Sequence, residues 1–420
     1  MENYLARAEK TLARIHELAA ISEEADGVTR TFGTPAFLRG SALVRRWFET
    51  AGLSTRLDSI GNVRGRLVSA NAAAKTFVIA SHIDTVVNAG KFDGPLGVLL
   101  GLDLLESLIE QKAELPFHVE LIAFSDEEGV RFHTTYLGSK VVAGSFDPSL
   151  LAKTDAAGIS LADAIQTMGG NPATLAADAI PAQSWLGYFE AHIEQGPVLW
   201  ERNIPVALVT AIAGQRRVEL TFKGMAGHAG TVPMDMRQDA LAGTAEFVLA
   251  VEKFGLQNKA ALVATVGKLD VRHAASNVIA GEATCSLDLR SADVARLQTA
   301  YEALYELADG IATKRQLGLH WNPIQQTAPL TCDAGLNAHL AQAIADSGYA
   351  VVPLVSGAGH DAVPVSFVAP ATMLFVRCFK GISHNPLENA ELPDIAAALQ
   401  VSERFLTLLF NDYTSSHLSH

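Results

Sequence analysis

Phe77-Val78-Ile79-Ala80, followed at once by Ser81-His82-Ile83-Asp84-Thr85-Val86, reads as a buried strand that ends in ionisable side chains. Just beyond it, Asp93-Gly94-Pro95-Leu96-Gly97 opens a helical pattern that runs from Pro95 to Gln111. The same grammar recurs outward. Val119 to Phe124 and Thr372 to Val376 are further short apolar runs, and helical spacing covers Phe37 to Ala51, Gly335 to Ser347 and Leu392 to Leu409. Strands alternating with helices predict an α/β domain with a mostly parallel sheet.

The middle of the chain obeys another rule. Val218 to Phe222 and Ala283 to Leu289 alternate apolar with polar residues, as a sheet with one wet face does. With helical patterns at Arg237 to Phe254 and Ala292 to Ala312, and short strands at Leu262 to Val266 and Gly318 to Trp321, this predicts a split βαβ, ferredoxin-like α+β unit. The expected organisation is a catalytic domain of residues 1–212 and 328–420, interrupted by an inserted domain of residues 213–327 with hinges near Gly214 and Pro323. Asp155 to Ala182, rich in Ala, Gly and Pro, is expected to be a loose surface excursion.

A chain of 420 residues with 49% apolar side chains can build two cores. A net charge of −13 supplies no basic footprint for nucleic acid or anionic lipid. No apolar run approaches the roughly 20 residues of a membrane span, and the charged N-terminus does not resemble a secretory signal, so a cytoplasmic location is expected. Cys285, Cys332 and Cys378 are too few and too scattered for a disulfide framework or a cysteine metal site. The tail Ser415 to His420 is expected to fray, leaving His417 and His420 without a role.

Four segments place acids or imidazoles directly after strands: Ser81 to Val86, Ser125-Asp126-Glu127-Glu128-Gly129, Ala191-His192-Ile193-Glu194-Gln195-Gly196-Pro197, and Gly381-Ile382-Ser383-His384-Asn385-Pro386. Singly, each has a plain reading, since a lone histidine is usually a structural one and an acidic triplet a solvated loop. Together they point to metal. Three adjacent acids repel unless a cation intervenes, and one glutamate of such a triplet can ligate while its neighbour faces water as a general base. Two ions need a bridging carboxylate, for which Asp93 is suited, while imidazoles complete the spheres. Asp84 is the candidate to orient His82 from behind. Such donors accept Zn²⁺, Mn²⁺, Co²⁺ or Ni²⁺ alike.

These segments resemble the M20-type metallohydrolases across nearly the whole chain, and His-Ile-Glu-Gln-Gly is similar to the hydantoinase/carbamoylase amidase branch. The resemblance implies two divalent ions per subunit. His82, Asp93 and His192 would hold one, and Asp93, Glu128 and His384 the other, with Glu127 as catalytic base. It also implies substrate-binding roles for Gln195, His228, Asn277, Arg290, Gly357, Ala358 and Gly359. A developing oxyanion needs a donor, which suits His228, and a substrate carboxylate suits the Arg290 guanidinium. His360 and Asp361 are expected to support the pocket, while His118, His133, His273, His320 and His339 carry no pattern.

The implied activity is hydrolysis of a ureido or carbamoyl carboxylate. Gly-Val-Arg-Phe, Gly-His-Ala-Gly-Thr-Val-Pro-Met and Val-Arg-Cys-x-x-Gly-Ile-Ser-His resemble allantoate amidohydrolases, with N-carbamoyl-L-amino acid hydrolases the alternative. The implied assembly is a homodimer whose inserted domains contribute groups across the interface and move between open and closed states. An M20 aminoacylase or peptidase is a lesser rival, because such members usually carry a carboxylate where His192 stands. A non-catalytic binding module is the least favoured, given that Glu127 and every ligand are present.

Overall fold

The computed structural model describes residues 2–418, with side chains described through Ser415. The chain forms two compact units, Met1–Thr210 with Cys332–His420, and Ala211–Thr331; the expected insert was 213–327.

A nine-stranded sheet runs in the order Ser54–Leu57, Val63–Leu67, His118–Phe124, Thr76–His82, Trp185–Ile193, Ala371–Val376, Val206–Ile212, Leu330–Thr331, and Pro353–Ser356 also pairs with Val206–Ile212. Parallel pairing joins the four strands from His118–Phe124 to Ala371–Val376 at the centre of the sheet. Ser54–Leu57 with Val63–Leu67, Val63–Leu67 with His118–Phe124, Ala371–Val376 with Val206–Ile212, and Val206–Ile212 with Leu330–Thr331 pair antiparallel, so the expected parallel character holds at the centre. The cause is local at one end. Ser54–Leu57 and Val63–Leu67 are joined by a tight turn in which Asp58 Oδ1 accepts from the backbone N–H groups of Ile60 and Asn62, and so short a link permits only antiparallel pairing.

Every residue of Thr76–His82 and of His118–Phe124 is buried, as befits strands covered on both faces. His82 stands opposite Phe124, and His192 opposite Phe375. Because the four strands are parallel, their C-terminal ends and the loops that follow gather along one edge.

Two sequence expectations for this unit need correction. Asp155 to Ala182 is not loose: it holds the helix Leu161–Thr167, and Leu161, Ile165 and Leu175 are buried in the core. Its small residues mimic a linker, but its few large ones are well spaced for packing. The last helix, Leu392–Leu418, continues helically through Ser415 instead of fraying there, while Ser419 and His420 lie outside the described residues.

The second unit carries the sheet order Gly318–Thr327, Gly214–Lys223, Glu282–Ser291, and then an edge made of two pieces, Val263–Thr265 and Leu269–Val271; all pairings are antiparallel. Helices Ala240–Gln257 and Val294–Lys314 supply the rest of its own core with Ala283, Cys285, Leu287 and Leu289. Pro323 is no hinge. It lies inside a strand, where the register shifts between Pro323 and Gln325, and a bulge is where a sheet tolerates a residue without an N–H.

Cys285, Cys332 and Cys378 are buried free thiols. Among the described residues no helix is long and apolar enough to cross a membrane.

Candidate metal centre

His82 ends its strand, His192 lies one residue before the end of its own, and Asp93 lies two residues before the helix Pro95–Glu110. Gly94 makes the approach possible. It has φ +83°, and a Cβ there would stand 2.5 Å from the His82 ring. The His82 Nδ1 lies 3.1 Å from the Asp84 carbonyl oxygen, and the His192 Nδ1 2.9 Å from the Ile193 carbonyl oxygen. A carbonyl only accepts, so Nδ1 of each ring carries a proton and Nε2 is the atom turned inward.

Those Nε2 atoms lie 3.4 Å from one another and 3.5 and 3.2 Å from Asp93 Oδ1. Asp93 Oδ1 is itself buried and receives no hydrogen bond. Three buried acceptors facing one point without a donor form a place for a cation. On the other side, His384 Nε2 lies 3.3 Å from Asp93 Oδ2 and 3.4 Å from Glu128 Oε1. Two groups that could each hold an ion, His82 with Asp93 and His192, and Asp93 with Glu128 and His384, thus share one carboxylate, and the donor chemistry fits divalent metal.

The electrostatics agree. Burial works to raise the Asp93 carboxyl, yet His192, His384 and His82 together hold it well below the usual range. Burial and then the Glu128 charge push Glu127 well above its ordinary value, and burial and then Asp93 push Glu128 to about 7. Crowded acids of this kind are relieved by a cation among them.

Asp84 has a second role that its position in the sequence did not reveal. Its carboxylate accepts from Glu127 N at 3.0 Å and Glu128 N at 3.2 Å, whereas its nearest oxygen to His82 Nδ1 is 3.5 Å away. The acid triplet is therefore pinned by the same residue that backs His82. Gln195, at φ +57°, donates its amide to Asp93 Oδ2 at 2.7 Å, beside the ligand groups. His360 sets its ring edge-on against His192 at 4.5 Å and bonds Ser356, while Asp361 accepts from Ser139; neither belongs to a metal group among the described residues.

The other predicted residues separate by unit. Gly357, Ala358 and Gly359 follow the strand Pro353–Ser356, and Ser356 Oγ closes the turn on Ala358. At Gly359 a Cβ would meet the Tyr136 hydroxyl at 1.8 Å, so smallness there serves Tyr136; at Gly357 the space is open. His228, Asn277 and Arg290 all belong to the second unit. His228 lies opposite Val278 in a two-stranded ribbon, and Asn277, just before Val278, accepts at its carbonyl from Ala229 N. Arg290 instead lies on the main sheet and grips Asp288 with two bonds of 2.9 Å.

Two buried acids lay outside the sequence reading. Glu190 accepts from Ser81, Tyr188 and Ala362 N, and Glu388 accepts from Phe92 N and Asp93 N. Only the proximity of Glu388 to His384 in the sequence could have flagged it.

Residues 78–408 match the family described as Peptidase family M20/M25/M40. The chain is 39% identical to an allantoate deiminase of Arabidopsis thaliana, over 93% of this chain and 80% of that protein. It is 36% identical to an N-carbamoyl-L-amino acid amidohydrolase of Geobacillus stearothermophilus, over 94% and 97% respectively. A solved hydantoinase/carbamoylase family amidase from Burkholderia multivorans aligns with a TM-score of 0.89 at 34% identity, covering 96% of this chain and 97% of that one. With its two ligand groups sharing Asp93, the chain belongs to peptidase family M20/M25/M40, a family of metal-dependent hydrolases.

Proposed function

We propose that this chain is a two-metal amidohydrolase that cleaves a carbon–nitrogen bond of a ureido or carbamoyl carboxylate. Allantoate is the preferred substrate and N-carbamoyl-L-amino acids are the alternative. The supporting observation is Asp93, which offers one oxygen to His82 and His192 and the other to His384, as a bridge between two ions must. The substrate class is supported by the allantoate deiminase and carbamoyl amidohydrolase relatives, which align along almost all of this chain.

When bound, two divalent ions (zinc, manganese, cobalt or nickel) supply Lewis acidity to the ureido carbonyl and to a nearby water. Glu127 takes a proton from the attacking water and returns it to the leaving nitrogen. His228 donates to the carbonyl oxygen as it gains charge, and Arg290 binds the substrate carboxylate. Gln195, Asn277 and the backbone of Gly357, Ala358 and Gly359 complete the recognition. The terminal nitrogen leaves as ammonia, and the carbamate that remains on the substrate nitrogen loses CO₂ to give the amine.

In this reading the second unit acts as a lid and dimerisation domain. A homodimer is supported by Leu249, Leu256 and Val263, large apolar side chains exposed on that unit, two on a helix and one on the edge strand Val263–Thr265.

The test is hydrolysis after metal reconstitution, read as ammonia released from allantoate and N-carbamoyl amino acids and as free amino acid released from N-acetyl amino acids and dipeptides. Turnover of the ureido compounds is expected. A preference for acyl or peptide bonds would overturn the assignment.

A further inference from the structure

Glu388 belongs to neither ligand group, yet it touches both loops that bring the shared carboxylate into place. It is 3% exposed. Its Oε1 accepts from Phe92 N at 2.7 Å and from Asp93 N at 3.1 Å, across 296 and 295 residues of chain. Its Oε2 lies 3.0 Å from Ser383 Oγ, and that same hydroxyl lies 2.7 Å from Asp93 Oδ2. One carboxylate thus holds the backbone of Asp93 and, through Ser383, reaches one oxygen of its side chain.

The packing is built around this contact. A Cβ at Gly90 would stand 2.2 Å from Glu388 Cβ and 2.4 Å from Oε1, so glycine at 90 lets the carboxylate lie flat against the Asp93 loop. A bridging ligand needs both oxygens aimed at once, which demands positional precision of about half an ångström. Neither loop is a helix or strand that could set that precision alone.

We propose that Glu388 is the positioning residue that makes Asp93 a bridge, coupling the Asp93 loop to the loop carrying Ser383 and His384; this rests on the two-metal reading above. The effect of losing it is unequal between the two groups. His82 and His192 sit on strands with side chains 2% and 1% exposed, whereas His384 sits on a loop with its side chain 48% exposed. The Asp93–Glu128–His384 group therefore depends more on the clamp.

The test is a Co²⁺ titration of chelator-stripped protein, followed by the visible absorption of the bound ion. Native protein is expected to show two sites. Glu388→Ala should weaken one of them about 10- to 100-fold, the usual range for losing an outer partner of a metal site, and alter its spectrum while the other site stays within a few fold. Glu388→Gln, which keeps an oxygen for Phe92 N and Asp93 N, should recover most of the affinity. Native affinities and spectrum in Glu388→Ala, or equal weakening of both sites, would overturn the positioning role alone. Fewer than two sites in native protein would instead sink the two-metal reading. If Glu388→Ala does not fold, Ser383→Ala removes only the link to Asp93 Oδ2 and should weaken the same single site; unchanged binding there also overturns the proposal.

Discussion

The Nε2 atoms of His82 and His192 face one another at 3.4 Å, and each ring spends its Nδ1 proton on a main-chain carbonyl. Two buried imidazole nitrogens and the Asp93 carboxylate converge on one point that a cation fills. Divalent metal should therefore stabilise the fold as well as serve catalysis. Binding at 100 times the dissociation constant contributes about 2.7 kcal/mol per site. Chelator-stripped protein is expected to melt at a lower temperature than protein with Zn²⁺ or Mn²⁺ restored. Coincident melting curves would contradict the metal assignment.

Glu127 is buried and sits in a loop that Asp84 holds by two backbone N–H groups, so its carboxyl is placed without being tied as a ligand. Glu127→Gln should leave the metal content unchanged and lower kcat by about 10²- to 10⁴-fold, the usual contribution of a positioned base. Metal analysis beside steady-state kinetics reads both halves. Turnover near the native value would remove Glu127 from the base role.

The candidate group of His82, Asp93 and His192 was legible because each sits where a buried strand or a helix start leaves an ionisable side chain with nowhere apolar to go, as His82 does after Phe77 to Ala80. Asp84 was legible only by half. Its place near His82 follows from spacing, but its hold on Glu127 N and Glu128 N joins segments 43 and 44 residues apart. Glu388 showed nothing beyond its nearness to His384, because two of its partners are backbone N–H groups, and every residue but proline has one. The edge strand Ser54–Leu57 was hidden for a different reason: Ser-Thr-Arg-Leu exposes most of its surface and shows no apolar run. Pro323 misled because a bulge and a hinge both accept a missing N–H.

Arg290 displays its recognition geometry on Asp288, with Nε and Nη2 each 2.9 Å from a separate carboxylate oxygen. Lysine cannot reproduce that planar fork. If Arg290 binds the substrate carboxylate, a charged hydrogen-bonded contact worth about 1.5–3 kcal/mol is at stake. Arg290→Lys should then raise KM about 10- to 100-fold with a smaller change in kcat. An equal fall in kcat at constant KM would assign Arg290 to another step.

Gly359 and Tyr136 offer a test that substitutes no metal-ligating residue. A Cβ at position 359 would lie 1.8 Å from the Tyr136 hydroxyl and 3.1 Å from the ring carbon that bears it. Tyr136 is held in place from its backbone, since its N–H donates to the Glu127 carbonyl, so it cannot retreat without moving the acid loop. Gly359→Ala is therefore expected to destabilise the fold by about 1–3 kcal/mol, as overpacking does. It should also lower turnover by disturbing Glu127. Tyr136→Phe removes the clashing oxygen, so the double variant should regain part of both losses, and a double-mutant cycle on melting temperature and kcat measures how much. Strict additivity of the two substitutions would show that the Gly359 turn and the acid loop do not communicate through this pair.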